Sequence, residues 1–164
     1  MKINKWLVGT IAVLLILFIS SSMTYHQQTS VPFLERMLAN KPLNHQLLGV
    51  HFKYAGEVVS IDALGYFKFV EFFIRKAAHF ISYFAIGVTA MIGLAKYTPN
   101  RWVRLVQVPL SVAGVAALDE FHQMLTGDRT PLFQDVMLDT IAGTIGVLIV
   151  FLVMARHRKS VSRG

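Results

Sequence analysis

Long apolar runs separated by shorter polar stretches dominate this chain. Four runs contain few charged residues and approach the ~20 residues that a helix needs to cross the ~30 Å hydrocarbon core of a bilayer. They are residues 6–23, 77–95, 102–118 and 136–154. The pattern predicts an all-α integral membrane bundle of four transmembrane helices. One long segment, residues 24–76, separates the first span from the second.

This long segment is mixed in character. Pro32 and Pro42 interrupt any helix near its start, whereas residues 66–74 place aromatic side chains densely between charges. Such a segment is typical of the membrane interface, where rings lie at headgroup level. We expect a partly helical outer loop whose aromatic residues hold the second span in place. A lipid-facing entry for a substrate is the alternative.

Composition supports a membrane protein and excludes several other classes. Of the 164 residues 54% are hydrophobic, and the mean hydropathy is +0.53, which is too apolar for a soluble domain of this size. No polar segment is long enough for a core of its own, so residues 1–164 are expected to form a single membrane domain. The net charge of +7 comes without a basic, aromatic-interleaved groove, so no nucleic-acid partner is expected. Because Cys is absent, thiolate metal sites and Cys nucleophiles are excluded.

The distribution of charge predicts the topology. Residues 1–5, 96–104 and 156–164 contain nine Lys and Arg side chains and no carboxylate, whereas residues 24–76 and 119–135 carry both signs. By the positive-inside rule, both termini and the loop 96–104 are cytoplasmic. The polar residues that flank the spans on the other side therefore lie at the outer face of the cell membrane.

A cleaved signal peptide is the alternative interpretation of the first span. It has a basic start and an apolar middle, and Ser20, Ser21 and Ser22 could form a cleavage region. The apolar run is long for a signal peptide, however, and the topology of the remaining spans would be unchanged by cleavage.

The second span opens with a polar face. Arg75, His79 and Tyr83 follow one another at i,i+4 spacing, so they share one side of the helix, and Lys76 lies beside them. Arg75 and Lys76 are candidates for holding an anionic group, although they could simply extend to lipid headgroups. His79 lies about one turn inside the apolar run, where its imidazole needs a partner, and a carboxylate from another helix is the obvious candidate.

A second polar group follows the third span. Asp119 and Gln123 share a face at i,i+4, and Glu120 lies beside Gln123 at i,i+3. Together with His79, these carboxylates are candidates for general acid/base chemistry. Exposed helix ends also carry such residues, so solvation of the helix end is the alternative for Glu120 and His122.

A third polar group surrounds the start of the last span. Arg129 lies in a turn and could bind a phosphate or carboxylate with both guanidinium nitrogens, or form an internal salt bridge. Asp135 and Asp139 are i,i+4 neighbours, and Asp139, ~6 Å deeper along the axis, is expected to face the bundle interior because a lipid-facing carboxylate there is costly. Gly143 and Gly146 would allow close helix approach.

Taken together, these three polar groups resemble the VanZ-like family of bacterial membrane proteins. The resemblance covers about residues 50–150, with residues 6–23 as the family's usual first span. It implies a multi-span α-helical protein, and the family's namesake is associated with resistance to teicoplanin-type glycopeptide antibiotics. The family commonly has Asn at the position of Asp139. The motifs are Arg75-Lys76-x-x-His79-Phe80-x-x-Tyr83, Asp119-Glu120-x-His122-Gln123 and Arg129-x5-Asp135-Val136-x-x-Asp139-Thr140-x-x-Gly143.

Four functions fit this reasoning. The first is an enzyme or binder at the outer leaflet that acts on a lipid-linked cell-wall precursor or on the glycopeptide itself, with membrane lipid as its surroundings. The second is a non-catalytic role in which the polar residues clamp the helices or recruit a partner. Ion transport is a third, although the inner halves of the spans offer little to relay a proton. A divalent metal held by Asp119, Glu120, Asp135 and His79 is a fourth, but no ligand motif requires it and no cofactor is indicated. The catalytic candidates are His79, Asp119 and Glu120, and the substrate-binding candidates are Arg75, Lys76, Tyr83, Gln123, Arg129, Asp135 and Asp139.

Overall fold

A computed structural model describes residues 3–126 and 130–161 of the chain. Four long helices are joined by short helices and one small hairpin. In chain order the elements are α1 (Lys5–Ser21), α2 (Tyr25–Gln28), α3 (Val31–Met37), α4 (Asn44–Leu47), β1 (Phe52–Tyr54), β2 (Glu57–Val59), α5 (Ile61–Leu64), α6 (Tyr66–Gly93), a 3-10 turn (Leu94–Lys96), α7 (Arg101–Leu125) and α8 (Phe133–Val161).

The predicted all-α membrane bundle is confirmed. In the described part of the chain three helices are long and apolar enough to cross a membrane: Tyr66–Lys96, Arg101–Leu125 and Phe133–Arg156. The first helix, with 17 residues, qualifies only together with Tyr25–Met37, a pair of segments bent by 120°. The bundle therefore has three spans, or four if this bent pair is counted as one.

The helices extend beyond the apolar runs that predicted them. The second run begins at residue 77, but α6 begins at Tyr66, so the aromatic interfacial segment continues directly into the span as helix. Likewise α7 continues through Leu125, past the predicted end at residue 118. The polar side chains on both extensions are therefore held on rigid helix rather than on loop.

The long segment, residues 24–76, contains two features that helical patterns did not predict. Pro32 lies in the first turn of α3 and does not interrupt it, because the backbone N–H groups of a first turn have no intrahelical partner. Strands β1 and β2 pair antiparallel through a two-residue turn at Ala55 and Gly56, both with positive φ, as tight hairpin turns require.

Two contacts define the ends of the bundle. At one end the Asn4 amide donates a hydrogen bond to the carbonyl oxygen of Gly93, at 2.8 Å. At the other end Ser21 donates to the carboxylate of Asp119. We call the first the basic end, since it includes Lys96 and Arg104, and the second the polar end.

Small residues bring α6 and α8 into close contact, as the glycine spacing predicted. A Cβ atom added at Gly146 would lie 2.6 Å from the carbonyl oxygen of Phe84, and one at Gly87 would overlap the backbone of Gly143. The buried core lies along this contact and includes Tyr83, Met91 and Val147. The relative position of α6 and α8 is therefore set by backbone-to-backbone contact.

Gly87→Ala is expected to destabilise the protein by roughly 1–3 kcal/mol, the usual cost of overpacking a core. Gly114→Ala on α7 is the matched control, because an added Cβ there meets no atom within 4 Å and the two variants share the same gain in helix propensity. Thermal unfolding in detergent measures the difference. Equal stability of the two variants would contradict the close contact of α6 and α8.

Candidate functional site

A cavity of about 290 Å³ opens at the polar end of the bundle. Its walls come from α6, from the last turns of α7, from the residues before and at the start of α8, and from α2 and α5. Half of its lining residues carry formal charge. The lining residues are Tyr25, Leu64, Lys68, Glu71, Phe72, Arg75, Lys76, Glu120, Gln123, Thr130, Leu132 and Asp135.

The cationic side chains that line this cavity have different partners. Lys76 Nζ lies 2.5 Å from Asp135 Oδ1 and 4.7 Å from the centre of the Tyr54 ring. Arg75 stacks its guanidinium over the ring of Tyr25, at 5.3 Å. Neither Arg75 nor Lys68 has a carboxylate within ion-pair distance among the residues that the structure describes.

Glu71 is a buried carboxylate that the sequence reasoning did not single out. Its exposed fraction is 2%, and its Oε1 accepts hydrogen bonds from the Thr29 hydroxyl, at 2.9 Å, and from the backbone and side chain of Ser30. Since Arg75 follows it at i+4, helical spacing could have indicated this residue. Its carboxylate is directed to Thr29 and Ser30 and forms no ion pair with Arg75.

His79 pairs with Asp139. The Nδ1 atom of His79 lies 3.2 Å from Oδ2 of Asp139, so a carboxylate from another helix is its partner, as predicted, and Asp139 faces the interior. Asp139 is only 2% exposed, and its second oxygen is buried without a hydrogen-bond partner in the described chain. His79 and Asp139 line a small space of about 20 Å³ together with Arg75, Lys76 and other residues shared with the larger cavity.

Asp119 and Glu120, the other two acid/base candidates, have partners other than His79. Asp119 accepts from Ser21 and from the Gln123 amide, at 3.0 Å. Glu120 Oε2 accepts from the backbone N–H of Leu132, at 2.8 Å. The shared face of Asp119 and Gln123 follows the predicted helical spacing, but these contacts join α7 to α1 and to the segment before α8.

Tyr83 is fully buried at the bottom of a separate apolar groove. Its ring stacks with that of His79, with centroids 6.3 Å apart. His122, on the rim of the same groove, stacks on Phe18 at 4.8 Å. Tyr83 therefore lines the groove and also contacts His79, the partner of Asp139.

Two side chains contact the same carboxylate oxygen of Asp135. The hydroxyl of Tyr54, on the hairpin strand β1, donates to the same Oδ1 atom that Lys76 contacts. Burial, together with the hydrogen bond to Asp135, raises the pKa of Tyr54, so the phenol stays protonated and remains a donor. No helical or strand pattern in the sequence indicated Tyr54.

Arg129, the remaining binding candidate, lies outside the described residues. The residues of the metal alternative are not arranged as ligands, because within the described chain no three His, Asp or Glu side chains are grouped to hold a metal ion. The structure thus brings together Arg75, Lys76, Gln123 and Asp135 around one cavity, with His79 and Asp139 below it.

Comparison with models of protein families matches the family VanZ/LLP1 over residues 6–154. No curated protein and no solved structure gives a match. The matched region contains the candidate site residues and most of each long helix. The resemblance found in the three polar motifs is confirmed: this membrane protein belongs to the VanZ/LLP1 family.

Proposed function

We propose that this protein binds the anionic headgroup of a lipid-linked cell-envelope precursor at the outer face of the cell membrane. The observation that carries the proposal is that two cations of the cavity have no ion-pair partner. Three cations and three carboxylates line it, but in the described chain Lys68 and Arg75 have no carboxylate within ion-pair distance. A phosphate or pyrophosphate would supply a direct partner for them, and Arg suits it because its guanidinium can donate two parallel hydrogen bonds.

The distribution of charge supports an outer location for this cavity. Residues 1–5 and 96–104, of which Asn4 and Lys96 lie at the basic end, carry Lys and Arg without a carboxylate, as expected of cytoplasmic segments. Both termini would then be cytoplasmic and the polar end extracytoplasmic. A headgroup in the outer leaflet would meet Lys68, Arg75 and Lys76 at the level of the interfacial aromatic residues of α6.

The pair of His79 and Asp139 is the candidate for proton transfer. Asp139 contacts one ring nitrogen of His79, which would fix the orientation of the imidazole and leave the other nitrogen for a bound group, as in other carboxylate–histidine pairs. In this proposal Asp119 and Glu120 hold the helices around the cavity, and Gln123 supplies an amide to its wall. Such an activity at the outer leaflet would change the cell's susceptibility to teicoplanin-type glycopeptides, which act on envelope precursors there.

Arg75→Ala is expected to reduce retention of anionic lipid several-fold. The protein would be released from nanodiscs that contain phosphatidylglycerol and phosphatidylcholine, and native mass spectrometry would count the phosphatidylglycerol molecules that stay bound. Lys53→Ala is the matched control, because Lys53 is an exposed cation on β1 that does not line the cavity. Equal retention by the two variants would contradict the proposal.

A specific observation also favours a non-catalytic clamp as the second candidate. Several of the buried or partly buried carboxylates join different segments: Glu71 joins α6 to the outer loop, Asp119 joins α7 to α1, and Asp135 joins α8 to α6. In that case the polar end would hold the helices together and alter glycopeptide access or recruit an envelope partner. Exchanging the charges of Lys76 and Asp135 separates the two candidates.

A further inference from the structure

A groove of about 400 Å³ runs along the side of the bundle between α1 and α7, with α6 as its floor. Its size falls within the range of small-molecule sites, roughly 300–1,000 Å³. Most of the lining is aliphatic or aromatic, and the polar members lie toward one end. The lining residues are Ile11, Leu14, Leu15, Leu17, Phe18, Tyr83, Val115, Leu118, Asp119 and His122.

The rim and the floor of this groove differ in exposure. Leu15, Phe18 and Leu118 on the rim are 56%, 59% and 67% exposed, whereas Leu17 and Tyr83 below them are 6% and 0% exposed. The groove therefore opens sideways, away from the bundle axis. Because α6 and α7 are long and apolar enough to cross the membrane, we expect its mouth to face lipid chains rather than water.

A hydrogen bond links the groove to the charged cavity. Gln123 lines the cavity and Asp119 lines the groove, and the amide of Gln123 donates to Asp119 at 3.0 Å. The two residues are one helical turn apart, or ~6 Å along the axis of α7. Apolar walls thus adjoin a cavity in which Lys68 and Arg75 have no ion-pair partner in the described chain.

We infer that this groove seats one hydrocarbon chain of the same anionic lipid whose headgroup occupies the cavity. The inference rests on the proposed function and adds the part of the ligand that the cavity does not contact. The protein surfaces follow one another in the same order as the parts of a lipid. Lys68 and Arg75 would contact the phosphate, Asp119 and His122 would lie beside the linkage region, and the apolar residues of α1 would contact the chain. A neighbouring transmembrane helix would match the apolar walls but would bring no anion to the cations.

Photolabelling tests where the chain lies. Two lipids with the same diazirine-bearing acyl chain, one phosphatidylglycerol and one phosphatidylcholine, would be placed in separate phosphatidylcholine nanodiscs with the protein. After irradiation, mass spectrometry would locate the labelled residues. We expect the phosphatidylglycerol probe to label Leu14, Val115 and Leu118 several-fold more than Ile149 and Leu152, exposed apolar residues of α8, and the phosphatidylcholine probe to show no such preference. Uniform labelling, or the same preference with both probes, would overturn the inference.

A groove-filling variant separates this inference from the proposed function. Leu14→Trp would occupy the groove, and Leu152→Trp, on the exposed face of α8, is its matched control. We expect Leu14→Trp alone to reduce labelling of Val115 and Leu118 several-fold.

If Arg75→Ala lowers phosphatidylglycerol retention while Leu14→Trp leaves labelling unchanged, the groove inference fails and the proposed function stands. If Arg75→Ala changes neither retention nor labelling, the proposed function fails and the inference fails with it. A second copy of the chain bound across the groove, seen as a dimer by native mass spectrometry that Leu14→Trp abolishes, would also overturn it.

Discussion

His79→Gln is expected to abolish any decrease in teicoplanin susceptibility that expression of the wild-type protein confers. Glutamine can donate a hydrogen bond to Asp139 in place of the imidazole, so the buried carboxylate keeps a partner and the fold is preserved. It cannot take up and release a proton near neutral pH, as histidine does. The measurement is the minimum inhibitory concentration in a susceptible bacterial host, with membrane levels of each variant followed by immunoblotting.

Asp139 provides the second half of this test. Because Asn also offers an oxygen that accepts a hydrogen bond from His79, Asp139→Asn is expected to retain the phenotype, whereas Asp139→Ala is expected to lose it. His45→Ala, at an exposed position of the outer segment, is the control and should behave as wild type. A phenotype retained by His79→Gln would assign His79 a structural role and would remove proton transfer from the proposed function.

Helical periodicity predicted which polar side chains share a helix face. The hydrogen bond between Asp119 and Gln123 follows from their i,i+4 spacing, and the interior position of Asp139 follows from the cost of a carboxylate facing lipid. These inferences succeed because the geometry of a single helix depends little on its neighbours.

The pairing between helices could not be predicted in the same way. His79 meets Asp139 rather than Asp119 or Glu120, and this choice depends on the rotation and axial offset of α6 against α8. That offset is set by the contact between Gly87 and Gly143, a property of two helices together that no single-helix pattern contains.

The long segment, residues 24–76, was the least predictable part of the site. Glu71 and Tyr54 both reach the cavity region, but neither their partners in the loop nor the hairpin follows from an apolar pattern. Glu71 is buried because Thr29 and Ser30, more than 40 residues earlier, supply its donors. Long-range contacts made by irregular segments leave no periodic signal in the sequence. Composition therefore identified this region as interfacial but could not predict its contacts.

Removing the carboxylate of Asp135 has the largest expected effect on stability. Asp135→Ala alone leaves the ammonium of Lys76 without its carboxylate, at a cost of about 2–3 kcal/mol; this lies below the 3–5 kcal/mol typical of fully buried pairs because the side chains are 23% and 16% exposed. Combining Lys76→Asp with Asp135→Lys restores an ion pair of opposite polarity and is expected to recover most of that loss. Thermal unfolding in detergent measures both effects.

The same exchange distinguishes ligand binding from a helix clamp. The exchanged protein keeps the net charge of the cavity but moves the cation from α6 to α8 and places a carboxylate on α6, the helix that carries Lys68 and Arg75. If the cavity binds an anionic headgroup, we expect recovered stability with reduced retention of phosphatidylglycerol in native mass spectrometry. If the pair only holds the helices together, stability and retention should recover together, since a clamp depends on the presence of an ion pair and not on which helix carries the positive charge.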